Sequence, residues 1–155
     1  MSRKLMAFSV VSAMAAAGAL LAATPAGATT LQPQIYTATY TAADSVTPPA
    51  QLIGPHGEKP KEWGVVAVPL GSSTNSLVTP KATKDVGGGT WSYGTTLDGV
   101  YKGCYSNYIH PTKKHSASVA IADGTDKDTQ NADVWAKAYR TAGVAHTCYT
   151  YWGVY

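Results

Sequence analysis

From Thr90 to Tyr155 the sequence has no phenylalanine and one leucine, Leu97. A domain built there has little aliphatic stock, so its tyrosines and tryptophans must supply most of the core. Charge of one sign is missing too. Beyond residue 28 the chain carries ten lysines and arginines against nine acids, a net +1, and only Lys113-Lys114 comes near a basic stripe. Neutralising a phosphate backbone takes more than that, so nucleic acid is not an expected partner. Neither G-x-S-x-G nor H-E-x-x-H occurs, and His115-Ser116 cannot act as a base and nucleophile, because strand neighbours point to opposite faces. Asp123, Asp126 and Asp128 surround Gly124, but the pattern fails at the glycine and glutamate positions of a calcium loop. Nothing argues for an enzyme, and no catalytic residue, cofactor or metal is expected.

Long apolar runs are absent beyond the N-terminus. Arg3 and Lys4 precede an uncharged apolar stretch from Leu5 to Ala23, and Ala26-Gly27-Ala28 offers the small residues that a signal peptidase needs. A membrane anchor is the alternative, since about 20 apolar residues span a bilayer. The alanine-rich core and Pro25 favour cleavage instead. Residues 1–28 are therefore read as a secretory signal peptide cut between Ala28 and Thr29, which makes the chain secreted and extracellular. Residues 29–86 are rich in Thr, Pro, Ala and Ser, with prolines spread along them. Proline fixes φ and removes a donor, so this segment is expected to be mostly extended: a linker, a propeptide or an arm docking on the next domain. Short runs such as Ile35 to Tyr40 and Trp63 to Val68 can still pair as strands.

The domain signal begins at Gly87-Gly88-Gly89 and covers 87–155. Aromatic and β-branched residues between frequent turns predict strands at Thr90–Tyr93, Val100–Ile109, His115–Ala122, Val134–Arg140 and Val144–Tyr151. Turns are expected at His110-Pro111-Thr112, Asp123-Gly124-Thr125 and Ala142-Gly143-Val144, and the rhythm is that of an all-β, small antiparallel β-sandwich. A domain this small buries only about 60% of its unfolded surface. A disulfide between Cys104 and Cys148 would help, and an exported chain can keep one. The sharper alternative is a metal held by Cys104, His110, His115, His146 and Cys148, although their spacings are not the usual zinc ones. KDTQNADVWAKA, residues 127–138, fits a helix by its i, i+3, i+4 pattern and a strand by its neighbours. The aromatics cannot all be buried if the domain has one interior. Some should be exposed, and such a patch on a secreted domain points to carbohydrate, lipid head group or protein contact.

Several pieces, in order, resemble the lactococcin 972-type bacteriocins: Gly88-Gly89-Thr90-Trp91, Tyr105-Ser106-Asn107-Tyr108 with His110, and Lys113, His115-Ser116-Ala117 and Val119. Lys127-Asp128-Thr129-Gln130, Ala132, Val134-Trp135-Ala136-Lys137-Ala138 and the tail Tyr149-Thr150-Tyr151-Trp152 complete the set. The resemblance implies a β-sandwich, and a secreted antibacterial protein that is not an enzyme. It also implies inhibition of cell-wall synthesis in related Gram-positive bacteria, with the lipid-linked, anionic wall precursor as partner and a homodimer as the acting form. In that setting Lys113, Lys114 and Lys137 are candidates to meet phosphates, and Trp91, Tyr105 and Tyr108 to pack on sugars. The resemblance also tips the reading of residues 127–138: Lys127–Gln130 as a turn and Val134–Ala138 as a strand with Trp135 on the inner face. The founding type lacks a counterpart of the long segment 29–86. Two other readings compete, a non-killing surface-binding module and a small secreted metal-dependent hydrolase.

Overall fold

Period-2 burial runs through most of the chain, and in the computed structural model it produces nine strands among the described residues, 36–69 and 81–155. All of these fall in the unit Leu31–Tyr155. The signal-peptide reading, with its cut between Ala28 and Thr29, lies outside the described residues. The strands are β1 Tyr36–Thr41, β2 Glu62–Val68, β3 Lys81–Val86, β4 Gly89–Asp98, β5 Tyr101–Ile109, β6 His115–Ile121, β7 Gly124–Gln130, β8 Ala136–Gly143 and β9 Cys148–Val154. They form a five-stranded sheet, β1-β2-β9-β6-β7, and a four-stranded sheet, β3-β4-β5-β8. Every pairing is antiparallel. The all-β sandwich expected from the aromatic and turn pattern is the observed fold.

Between the sheets lies an aromatic core. Val66, Val68, Ala117, Val119, Ile121, Trp152 and Val154 face Trp91, Tyr93, Tyr108, Ala136 and Ala138. The Tyr108 and Trp152 rings lie 5.4 Å apart, centroid to centroid, and Trp91 and Trp152 6.4 Å apart. Two ties cross the core between β5 and β9. The expected disulfide joins Cys104 on β5 to Cys148 on β9, with Cα atoms 5.6 Å apart. Closing its 44-residue separation contributes roughly 4 kcal/mol in the chain-entropy model. The second is a relay in which Trp91 Nε1 donates to Ser106 Oγ at 2.8 Å, and Ser106 donates to the Tyr151 carbonyl at 2.7 Å.

Residues 36–86 supply β1, β2 and β3, so the two expected runs do pair, the first over its described residues Tyr36 to Tyr40 in β1 and Trp63 to Val68 in β2. The described prolines avoid these strands: Pro48, Pro49, Pro55 and Pro60 sit in the connection from β1 to β2, and Pro69 follows β2. That connection crosses the outer face of the five-stranded sheet, where Leu52 packs with Trp63 and Tyr151. Its carbonyls are used as well. Gln51 accepts from Ser118 Oγ at 2.7 Å, Leu52 from the Tyr155 hydroxyl at 2.6 Å, and Ile53 from Lys127 Nζ.

Residues 127–138 depart from the expectation. Lys127–Gln130 is no turn: it lies in β7, and the bend sits earlier, at Ala122 and Asp123, with Ala122 at φ 50°. Nor does Trp135 face inward. It is 40% exposed, and Ala136 and Ala138 fill the inner positions. The reason lies in the edges. β7 and β8 end their respective sheets on the same side, and the β6–β7 register puts Asp126 and Asp128 on the face of Val119 and Ala117. There they pack against no apolar partner. Asp128 accepts the Lys137 backbone N–H at 3.0 Å and Asp126 that of Tyr139 at 2.8 Å, closing the seam.

Gly87 and Gly88 make the two-residue turn between β3 and β4, with φ 57° and 81°. Positive φ at both positions is what a type I′ hairpin requires, and glycine adopts it without strain. His110 holds this turn. Its Nδ1 accepts the N–H groups of Thr112 and Lys113 at 3.1 and 3.0 Å, so the ring proton is on Nε2, which donates to the Gly87 carbonyl at 3.1 Å. Burial pushes His110 below its usual 6.5, with Lys113 and His115 adding to the effect.

Two consequences can be measured. Because the folded ring protonates less readily than the unfolded one, stability is complete above pH 6.5 and falls as the pH drops below it. His110→Gln should flatten that slope in urea titrations taken between pH 7 and pH 5; an unchanged slope would refute the assignment. At the other end of β5, Lys102 is 3% exposed, and its Nζ has no partner among the described residues. Burial lowers its pKa. Lys102→Met is expected to stabilise the fold by about 1–2 kcal/mol in chemical denaturation, since it removes an unpaired polar head and keeps the stem.

Candidate functional site

The two sheets differ on their outer sides. The face of the five-stranded sheet is covered by the β1–β2 connection, whereas the four-stranded sheet turns a face of large polar and aromatic side chains outward. Register builds that face row by row. Tyr139 on β8 pairs with Tyr105 on β5, Tyr105 with Gly94 on β4, and Gly94 with Lys81 on β3. In the next row Lys137 pairs with Asn107, and Asn107 with Ser92. Trp135 directly precedes β8, whose first residue, Ala136, pairs with Tyr108. Tyr101 closes the other end.

Exposure marks this face as unusual. Tyr101 is 60% exposed, Tyr139 53% and Trp135 40%. Tyr105 is half-buried; burial raises its hydroxyl pKa, and a hydrogen bond with Ser92 works against that rise. Lys81 and Lys137 are exposed at opposite flanks of the row of rings. Gly103 makes room for the Tyr139 ring over β5. A Cβ there would run into Thr96 Oγ1 and the Tyr139 hydroxyl. The missing side chain leaves a hollow of about 290 Å³ bounded by Thr96, Tyr101, Tyr139 and Thr141. Aromatic faces beside ammonium groups suit a ligand that combines apolar ring faces with anionic oxygens.

The six residues named from sequence as binding candidates are scattered by the fold. Tyr105 and Lys137 share the outer face as diagonal neighbours. Trp91 and Tyr108 do not belong there. They are 1% and 0% exposed, with Trp91 bonded to Ser106 and Tyr108 donating to the Val86 carbonyl at 2.9 Å. Alternation decides it, because both occupy the inner phase of their strands in a core that has little else to fill it. Lys114 is committed on the other sheet's side, 2.7 Å from Glu58, whose carboxyl that contact holds down to about 2. Lys113 is exposed in the β5–β6 turn. Tyr101, Tyr139 and Lys81 were missed. The signal for Tyr139 was in the run Trp-Ala-Lys-Ala-Tyr, where the alanines alternate with large residues.

The metal alternative loses its sulfur ligands to the disulfide. His115 has its ring nitrogens on the carbonyls of Lys113 and Val134, at 2.9 and 2.8 Å. Among the described residues no group of three histidine, cysteine or acidic side chains is placed to hold a metal ion.

Comparison with known proteins gives one match. Residues 87–152 fit the family model described as Bacteriocin (Lactococcin_972). No curated protein and no solved structure matches the chain. The matched residues hold β4 to β8 and most of β9, and with them the Gly87-Gly88 turn, the Trp91–Ser106 bond and the disulfide. Over residues 87–152 the chain is similar to the lactococcin 972 bacteriocins, which supports a role of the bacteriocin type.

Proposed function

We propose that the chain is a secreted, non-enzymatic antibacterial protein that blocks cell-wall synthesis in related Gram-positive bacteria by binding the lipid-linked wall precursor. The observation that carries this reading is the open face of the four-stranded sheet, where Trp135, Tyr105, Tyr139 and Tyr101 stand beside Lys81 and Lys137. A pyrophosphate-linked sugar offers both anionic oxygens for the lysines and apolar faces for the rings. The Cys104–Cys148 bond supports export, because such bonds persist in oxidising compartments. It also takes away the free thiols on which a small hydrolase would have been built. A homodimer belongs to the same proposal.

The test is binding of the purified chain to vesicles with and without the undecaprenyl-pyrophosphate disaccharide-peptide precursor, paired with growth of Gram-positive indicator strains. Lys137→Ala and Tyr139→Ala should each weaken precursor binding about fivefold or more and reduce inhibition, with no shift in melting temperature, since both side chains are exposed. Added salt should weaken the wild type more than Lys137→Ala. Equal binding to bare vesicles, or inhibition untouched by both substitutions, sinks the reading. Retention on the producer's own wall with no effect on competitors would favour the non-killing surface module.

A further inference from the structure

The same outer face runs past Ile109 into a trough of about 480 Å³ at the hairpin end of the sandwich. Its lining joins the apolar Ile109 and Pro111 with Asp85 and Asp133 and with Gly88, Gly89 and Thr90. One Asp85 oxygen accepts from Thr90 Oγ1 at 3.0 Å, which fixes the carboxylate and leaves its second oxygen available. Asp133 is placed by its own backbone, whose N–H donates to the His110 carbonyl at 2.9 Å. No side-chain bond occupies the Asp133 carboxylate among the described residues. Trp135, two residues on, is 40% exposed and directly precedes β8, whose first residue, Ala136, pairs with Tyr108.

We infer that this trough is a subsite for an uncharged sugar ring, and that it orients the precursor on the sheet face. The inference rests on the precursor reading of that face. Three features select the ligand class. A pyranose is amphipathic, with an apolar C–H face and a rim of hydroxyl donors, and the lining of the trough combines apolar side chains with carboxylate acceptors. Phosphate is excluded, because two carboxylates repel it. A compact ammonium ion would leave Ile109 and Pro111 without a partner. Polarity along the face follows. Lys137 is two residues from Trp135, about 7 Å along a strand, so a sugar in the trough sets an attached phosphate over the Lys137 row and not over the aspartates.

The experiment is an NMR titration of the ¹⁵N-labelled full-length chain with N,N′-diacetylchitobiose, a neutral disaccharide without phosphate or lipid. Shifts should concentrate at the Gly88, Gly89 and Thr90 amides and the Trp135 indole N–H, and spare Tyr101. Asp85→Asn and Asp133→Asn should each weaken binding about fivefold or more. Asparagine is the choice at Asp133 because its φ of 63° is one that asparagine tolerates. Shifts elsewhere, or affinity untouched by both asparagines, overturn the subsite, as does lysine methyl ester binding there while the sugar does not. The two readings fail separately. Disaccharide binding in the trough with no affinity for precursor vesicles overturns the precursor reading and keeps the subsite. Precursor binding that ignores both asparagines overturns the subsite alone.

Discussion

Two sheets that share no hydrogen-bonded strand must be fastened across their interface, and here the fastening is polar and covalent more than aliphatic. With Leu97 the one leucine after Thr90, the core cannot rely on interdigitated aliphatic chains. It relies on rings that need partners for their polar ends, and those partners double as cross-ties. Trp91 is satisfied by Ser106, which in turn reaches the Tyr151 carbonyl on the opposite sheet. The disulfide ties the same two strands, β5 and β9, nearer their other end. At the lateral seam the Asp126 and Asp128 carboxylates take the N–H groups of β8 that face away from β5. A charge-assisted bond to a free edge N–H both stabilises and denies that edge to a foreign strand.

That seam also explains what was legible in the sequence and what was not. Alternation made β4 and β6 visible, because each carries apolar residues on an inner phase with small or polar ones between, whereas β5 and β9 were marked by their aromatic and β-branched content. The disulfide was readable from the number and setting of the cysteines. β7 was invisible, since Gly-Thr-Asp-Lys-Asp-Thr-Gln has no apolar residue. Its inner positions are satisfied by hydrogen bonds across the seam, and a pattern of hydrophobic burial contains no signal for that. Trp135 was misplaced for a related reason. An indole is normally the residue to bury, but at β8 the space is already filled by Tyr108, which pairs with Ala136, so only alanines fit inside. The candidate site suffered from the same bias, with Tyr105 and Lys137 found and Tyr139 overlooked.

The segment before the family match has a structural part that its proline content concealed. β9 lies between β2 and β6, with seven register pairs to each. The matched residues 87–152 alone would leave one edge of β9 bare, an invitation to pair with another chain. β2 covers that edge and adds Val66 and Val68 to the core. The connection before β2 then roofs part of the outer face, with Leu52 packed on Trp63 and Tyr151. The outer side of the four-stranded sheet has no such roof among the described residues.

This division bears on how the resemblance should be read. The residues that mark the family most clearly are largely internal. Trp91, Tyr108 and His115 are buried, His110 holds the glycine turn, and the aspartates near 127 close the seam. They report that the scaffold is shared. Outward positions such as Tyr101, Tyr139 and Lys81 lie outside the matching motifs, and the proposed binding face is built largely from them. A surface position is under no packing constraint, so a face of two exposed tyrosines, a half-buried third and a tryptophan carries a cost in solubility that packing does not explain. In a chain whose core is starved of large apolar residues, setting rings outside is the strongest structural argument that this face meets a partner.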